Sequence, residues 1–198
     1  MKTDWKGIYD PKQVYCPDAD TYLLLEAALK EIRSGDRVLE IGTGSGYIAA
    51  VLKEVADVIV TDINPHAVFA ARKLGLEVIR TDLARGLRRS CDLVIFNPPY
   101  LPTRDEEKID DWLEYALDGG PDGRTVIARF ASDVETVLAP GGRVLLLLSS
   151  LTGTEAVIQI FEHAGYQVEI VGRRTVYNEE ILVIKCLHHP GRSDSVSQ

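Results

Sequence analysis

The chain has 198 residues, of which 45% are hydrophobic and 26% charged, and a formal net charge of −8. This length and composition predict one globular domain with a full core, over residues 1–187, followed by a polar, disordered tail over residues 188–198. The acidic balance argues against direct binding of bulk nucleic acid, because clustered Lys and Arg bind phosphate backbones. No apolar run is long enough to cross a membrane.

Three cysteines, Cys16, Cys91 and Cys186, are scattered along the chain. Their number and spacing exclude a disulfide framework and indicate no metal site. We expect Cys91 and Cys186 to be core residues in or beside strands. The first six residues lack the apolar stretch of a signal peptide, so we expect a cytoplasmic location.

Strands and helices alternate along the chain. We expect strands near 37–41, 58–61, 76–80, 92–96, 143–149, 167–173 and 180–186, and helices near 18–33, 47–54, 65–73, 122–138 and 153–164. Pro140-Gly141-Gly142 should end the long helix at 122–138. The strands are mostly uninterrupted and apolar, which is typical of a parallel sheet covered by helices on both faces. The last two are separated by only a few residues, so they should pair antiparallel.

A glycine-rich turn follows the first predicted strand. Residues 38–46 read Val-Leu-Glu-Ile-Gly-Thr-Gly-Ser-Gly, with Glu40 near the strand end and glycines at positions 42, 44 and 46. Glycines let a backbone adopt positive φ and approach a ligand closely. The spacing differs from the dinucleotide-binding G-x-G-x-x-G, because Tyr47 occupies the place of the third glycine.

Acidic residues follow the next two strands. Asp62 ends the second strand, where an acid accepts hydrogen bonds from a ribose diol in nucleotide-binding βαβ units. Asp82 follows the third strand and would accept from an adenine amino group, with Leu83 against the ring. Taken singly, each acid is also compatible with a helix cap, since Asn64-Pro65 resembles a helix start.

The residues Asn97-Pro98-Pro99-Tyr100 directly follow the apolar run 92–96, at the carboxyl end of a predicted strand. Ligands bind at such ends in open α/β sheets, although Asn-Pro and Pro-Pro also punctuate ordinary loops. The Asn97 oxygen and the Pro98 carbonyl are suited to accept the two N–H groups of a planar amine. Pro98 and Pro99 restrict the backbone, and Tyr100 offers a flat face to a planar group.

Together these motifs resemble the HemK-like class I S-adenosylmethionine-dependent methyltransferases. Residues 14–24 resemble the N-terminal segment of the compact eukaryotic and archaeal type, and residues 116–123 resemble the glycine-rich segment after the catalytic motif. The resemblance runs from Tyr15 to Lys185 and implies a Rossmann-like methyltransferase domain with a final antiparallel hairpin. It assigns catalysis to Asn97, Pro98, Pro99 and Tyr100. It assigns binding of S-adenosylmethionine, or of the product S-adenosylhomocysteine, to Tyr15, Thr21, Glu40, Gly42, Gly44, Gly46, Asp62, Ile63, Asp82, Leu83 and Asn97.

The resemblance implies methylation of the glutamine side-chain amide in the Gly-Gly-Gln loop of a translation release factor. The motif at 97–100 fixes only the nitrogen class, so an exocyclic amine of RNA (guanine N2 or adenine N6) or a protein lysine are alternatives. A catalytically idle cofactor-binding subunit is another. The acidic charge and the lack of a target-recognition domain argue against DNA.

Only about 36 residues precede the first predicted core strand, so we expect this chain to lack the additional helical domain of bacterial members. The compact type pairs with a small zinc-binding activator protein, and the resemblance therefore implies a heterodimer in which the activator covers apolar surface near the third strand.

Two segments near the predicted catalytic motif stay open to more than one interpretation. Acidic residues crowd the stretch after it: Asp105, Glu106, Glu107, Asp110, Asp111 and Glu114. They form either a solvated helix face or a lid that attracts a basic protein substrate. Residues 118–123 belong either to the substrate groove or to a helix cap.

Overall fold

The computed structural model describes residues 7–88, 90–104, 111–176 and 178–188. Its seven strands, numbered along the chain, are β1 Arg37–Ile41, β2 Asp57–Asp62, β3 Glu77–Arg80, β4 Cys91–Phe96, β5 Leu138–Ser149, β6 Tyr166–Val176 and β7 Glu179–His188. They form one sheet in the order β3-β2-β1-β4-β5-β7-β6. Strands β1 to β5 pair in parallel, whereas β7 runs antiparallel to both β5 and β6. The predicted fold class and its final antiparallel hairpin are confirmed.

Within the described ranges, five α-helices cover the sheet: α1 Ala19–Glu31, α2 Tyr47–Leu52, α3 Pro65–Lys73, α4 Thr125–Asp133 and α5 Thr154–His163. Local capping fixes where two of them begin. Asp18 caps α1 and forms a capping box with Thr21. Asn64 caps α3 by accepting from the His66 N–H at 2.8 Å, ahead of Pro65 at the first helical position. These caps set the ends of the helices that border the candidate site.

The long helix predicted over 122–138 is wrong at both ends. Helix α4 covers only Thr125–Asp133, and a short 3-10 turn follows at Val134–Thr136. Pro140-Gly141-Gly142 does not end a helix, because it lies inside β5. The register of β4 against β5 shifts there, and a Cβ on Gly142 would lie 3.0 Å from the Cys91 carbonyl oxygen. Glycine therefore allows β5 to begin earlier than the sequence indicates.

Hydrophobic cores lie on both faces of the sheet, which explains why the strands read as unbroken apolar runs. Along β5, Val144, Leu146 and Leu148 pack into one core and Leu145 and Leu147 into the other. This alternation is the period of two that a strand imposes. Cys91 and Cys186 are buried in β4 and β7, as predicted.

The last strand includes His188, which pairs with Tyr166 of β6. The predicted tail therefore overlaps the fold by one residue, and its remainder, residues 189–198, lies outside the described residues. Among the helices that the structure describes, none is long and apolar enough to span a membrane.

Candidate active site

A cavity of about 500 Å³ opens at the carboxyl ends of β1, β2, β3 and β4. This is the edge of an open parallel sheet where ligands bind. Of the residues predicted to act here, those that line the cavity are Tyr15, Thr21, Glu40, Gly42, Gly44, Asp62, Ile63, Asp82, Leu83, Asn97, Pro98, Pro99 and Tyr100. The topology thus gathers residues separated by more than 80 positions of sequence into one site.

Gly46 is the predicted cofactor-binding residue that the structure does not place on the cavity wall. A Cβ at this position would lie 2.8 Å from Cδ1 of Leu74 and 3.3 Å from Cδ1 of Leu76. Its N–H donates to the Thr43 carbonyl at 2.9 Å, and its φ of 78° is left-handed. The third glycine is therefore required for close packing of the turn on the core, whereas Gly42 and Gly44 line the cavity.

Glu40 is buried, at 4% exposure, and burial raises the pKa of its carboxyl to about 8. Its Oε2 accepts hydrogen bonds from the Thr43 hydroxyl at 2.9 Å and the Ala49 N–H at 3.1 Å. Both bonds come from the glycine turn and the helix that follows it, so the local sequence holds this carboxyl at the cavity wall.

Asp62 is also buried at the cavity, and burial raises its pKa. Its Oδ2 accepts from the Gly44 N–H at 2.9 Å, and its Oδ1 accepts from the Asn64 N–H at 2.8 Å. Each carboxylate oxygen can accept more than one hydrogen bond. Asp62 therefore ties the glycine turn to the end of β2 while keeping acceptor capacity for hydroxyl groups of a ligand.

Asp82 and Leu83 lie where β3 ends. Asp82 forms an ion pair with Arg129 of α4, so one of its oxygens already has a cationic partner within the protein. Leu83 has a φ of 53°, and in the described part of the chain it is the single non-glycine residue with positive φ. Such strain concentrates at ligand sites, and here it bends the backbone along the cavity wall.

The Asn97-Pro98-Pro99-Tyr100 motif leaves the carboxyl end of β4 and enters the cavity wall. Nδ2 of Asn97 donates to Oδ2 of Asp20 at 3.1 Å. Oδ1 of Asn97 is out of reach of solvent and meets no donor among the described residues. Burial, and then the charge of Asp20, raises the pKa of Tyr100, so its hydroxyl stays protonated.

Residues 118–123 both cap a helix and support the motif. The Gly119 carbonyl accepts from the Thr125 N–H at the start of α4. Leu101, directly after the motif, exchanges hydrogen bonds with Leu117 and Gly119. A Cβ on Gly123 would lie 2.4 Å from the Tyr100 carbonyl oxygen. These six residues are absent from the cavity wall in the part of the chain that the structure describes.

Sequence reasoning assigned no role to several side chains that line the cavity, among them Asp20, Trp112, Tyr115 and Arg129. The Trp112 and Tyr115 rings are 5.2 Å apart, and the Arg80 guanidinium lies 5.8 Å from the Trp112 ring centroid. An aromatic pair between the catalytic and glycine-rich segments was the available signal. Asp20 stands inside the N-terminal segment that carries the family resemblance, but nothing in the sequence separates it from an ordinary acid in a first helical turn.

Most of the predicted acidic lid, residues 105–110, lies outside the described residues. Across residues 7–88, 90–104, 111–176 and 178–188, no cluster of three His, Cys, Asp or Glu side chains is arranged to hold a metal ion.

Comparisons of this chain with known proteins identify its family. The Methyltransferase small domain model matches residues 7–113. A putative protein N5-glutamine methyltransferase of Methanocaldococcus jannaschii is 40% identical over 180 residues, covering 87% of this chain and 90% of that protein. The chain belongs to the HemK-like methyltransferase family. As a class I methyltransferase, it uses S-adenosylmethionine as its methyl donor.

Two further relatives match this methyltransferase over most of their own length. The human methyltransferase HEMK2 is 34% identical over 189 residues, which are 87% of this chain and 88% of that protein. A chain of the solved E. cuniculi Mtq2–Trm112 complex, responsible for methylation of the eRF1 translation termination factor, superposes with a TM-score of 0.75. It is 33% identical, and the match covers 89% of this chain and 99% of that one.

Proposed function

We propose that this methyltransferase transfers a methyl group from S-adenosylmethionine to the side-chain amide nitrogen of the glutamine in the Gly-Gly-Gln motif of a translation release factor. The observation that carries the proposal is the Asn97 side chain at the cavity, which has its nitrogen engaged and its oxygen buried without a donor. A buried unpaired acceptor in a native structure calls for a partner. An N–H of the substrate amide is that partner, because such hydrogen bonds are often completed only in the substrate complex.

The cavity residues fit the methyl donor. A buried carboxyl such as Glu40 can hold the ammonium group of the methionine part, and Asp62 retains acceptor capacity for a ribose diol. Leu83 and Ile63 supply apolar surface for a flat base. When bound, the donor supplies a methyl group that its sulfonium already activates.

Because the methyl group is already activated, the contribution of the protein is to orient the substrate amide toward it. A glutamine amide is a weak nucleophile because its nitrogen lone pair is delocalised into the carbonyl. Asn97 can fix the amide by accepting one N–H, and Pro98 can accept the other at its carbonyl. Tyr100 can pack against the amide plane. Positioning of two reacting groups accounts for a large part of many enzymatic rate enhancements, and a neutral Tyr100 is consistent with a reaction that uses no strong base.

We also propose a small zinc-binding activator as partner, docked on the free edge of β3. This strand ends the sheet, so within the described part of the chain no further strand pairs with its outer edge. Large apolar side chains are exposed around it: Phe69 of α3 at 59%, Ile63 at 38% and Ile79 of β3 at 37%. The Mtq2–Trm112 structure supports a partner of this kind.

Buried, unpaired thiols at Cys91 and Cys186 support a reducing cytoplasmic setting.

The deciding experiment is transfer of labelled methyl from S-adenosylmethionine to a purified release factor, with and without its Gly-Gly-Gln glutamine replaced by alanine. The small zinc-binding activator is added in parallel. Label that requires the glutamine supports the proposal. Label that persists without it, or appears on ribosomal RNA or on lysine, would replace the substrate by one of the alternatives.

The docking surface has its own test. Phe69→Glu is expected to abolish co-purification with the activator, because it places a charge in the apolar patch. Leu151→Glu is the matched control, since Leu151 is 54% exposed and belongs to the segment after β5. Equal loss of binding in both variants would contradict the assignment to the β3 edge.

A further inference from the structure

Asp20 is a buried carboxylate that no sequence motif assigned to the reaction. It is 3% exposed, lies on the cavity wall and stands in the first turn of helix α1. Its four hydrogen-bond partners are all donors. Oδ1 accepts from the Thr21 N–H at 2.5 Å and the Thr21 hydroxyl at 3.1 Å, and Oδ2 accepts from the Tyr15 hydroxyl at 3.1 Å and Nδ2 of Asn97 at 3.1 Å.

An ionised carboxylate only accepts hydrogen bonds. The oxygen and nitrogen of an asparagine amide are nearly alike in shape, so the partners decide which way the group points. If the Asn97 amide were reversed, its oxygen would face the Asp20 carboxylate without a proton between them. Burial, and then the charge of Asp20, raises the pKa of Tyr15, so the hydroxyl beside them remains a donor and cannot compensate.

We propose that Asp20 is a positioning residue that sets the orientation of the Asn97 amide. It holds Nδ2 and so keeps Oδ1 free as the acceptor for the substrate N–H. The role rests on the proposed function of Asn97. It also gives Tyr15 and Thr21, which the family resemblance assigned to the cofactor, a role in the acceptor site, because both donate to Asp20.

The test replaces the hydrogen-bond acceptor that faces Asn97 at position 20 with a donor. In Asp20→Asn, the two bonds from Thr21 keep the amide oxygen on their side, so an NH₂ group faces Asn97. The Asn97 amide must then turn its oxygen toward residue 20 and present a donor to the substrate. We expect kcat to fall on the order of 10²-fold, the cost of losing one preorganised hydrogen-bonding group, with little change in the affinity for S-adenosylmethionine.

The double variant Asp20→Asn with Asn97→Asp restores an acceptor, because one oxygen of the new carboxylate accepts from residue 20 and the other remains free. We expect kcat to recover on the order of tenfold relative to Asp20→Asn, within the coupling seen between contacting residues. Asp18→Asn is the matched control. Asp18 is exposed, asparagine also caps helices, and the substitution removes the same charge two residues away. Full activity in Asp20→Asn, or no recovery in the double variant, would overturn the proposal.

A second readout does not depend on the substrate. The chain contains three asparagines, Asn64, Asn97 and Asn178, so asparagine-selective ¹⁵N labelling gives a simple amide spectrum in which Asn97→Asp identifies the Asn97 signal. We expect one proton of the Asn97 side-chain amide to be protected from exchange with solvent in the unsubstituted protein and in Asp18→Asn. In Asp20→Asn we expect this proton to be unprotected. An unchanged signal in Asp20→Asn contradicts the role of Asp20, whereas an unsubstituted enzyme that fails to methylate the release factor contradicts the proposed function instead.

Discussion

The proposed cofactor half of the cavity, around Glu40 and Asp62, and the proposed acceptor half, around Asn97, satisfy their polar groups in different ways. In the cofactor half, Glu40 and Asp62 accept hydrogen bonds from Thr43, Ala49, Gly44 and Asn64, all within 18 residues of the carboxylate that they contact. In the acceptor half, Asn97 is held by Asp20, 77 residues away, and its oxygen has no donor among the described residues.

This difference separates binding from chemistry. Carboxylates that the fold already holds keep their geometry whether or not a ligand is present, which suits a preformed pocket. An unpaired buried acceptor is costly for the folded protein, and that cost is relieved only when a donor arrives. Under the proposed function, the first half binds S-adenosylmethionine, and the second half selects the nitrogen to be methylated.

Asn97→Ala should break the acceptor half and produce the largest effect. We expect kcat to fall by on the order of 10²–10³-fold, since one preorganised hydrogen-bonding group is lost, and the affinity for S-adenosylmethionine to remain largely intact. Labelled-methyl transfer and calorimetry measure the two quantities. Activity that survives this substitution would refute the role of Asn97.

Gly123→Ala tests the support behind the motif. Its new Cβ would lie 2.4 Å from the Tyr100 carbonyl oxygen, so the motif must shift, and a shift of this kind costs on the order of 10²-fold in rate. Gly141→Ala is the control, because its φ of 76° matches the 73° of Gly123 and nothing lies within 4 Å of its Cβ. Similar losses of kcat in both variants would show that backbone strain, and not contact with Tyr100, is responsible.

Asp62→Ala should weaken the cofactor half. We expect the binding free energy of S-adenosylmethionine to fall by about 1–3 kcal/mol, the cost of leaving hydroxyl groups without an acceptor. Asp57→Ala, at the exposed start of the same strand, should leave calorimetric affinity unchanged. Unchanged affinity in Asp62→Ala itself would refute the ribose role.

The last prediction concerns the pH dependence of folding stability through Glu40. Because burial raises its folded pKa to about 8 from an ordinary value of 4.5, the folded state holds this proton more tightly than the unfolded state. The stability that the proton contributes is complete below pH 4.5 and is lost as pH rises toward 8. Urea unfolding of the unliganded protein should show that its free energy of unfolding falls between pH 5 and pH 8. This fall should be larger than the one measured for the Glu40→Gln variant between the same pH values. Equal falls in the two proteins would place the titration elsewhere.

The alternation of strands and helices, the glycine turn and the acids at the ends of β1 and β2 were readable from the sequence, because each depends on neighbours within a few residues. The same holds for the family resemblance, which rests on short contiguous motifs. The error over residues 122–138 has the opposite origin: helical propensity there was overridden by the pairing of Leu138 with Cys91 across the sheet.

By itself, the sequence determined the class of fold, the methyl donor and the motif that we propose contacts the acceptor nitrogen. Only the tertiary structure decided that Gly46 packs on Leu74, that Gly123 supports Tyr100 and that Asp20 holds Asn97. The physical reason is common to all three. Each depends on the distance between atoms that are far apart along the chain, and that distance exists only after the sheet has brought α1, α3 and the segment before α4 around the end of β4.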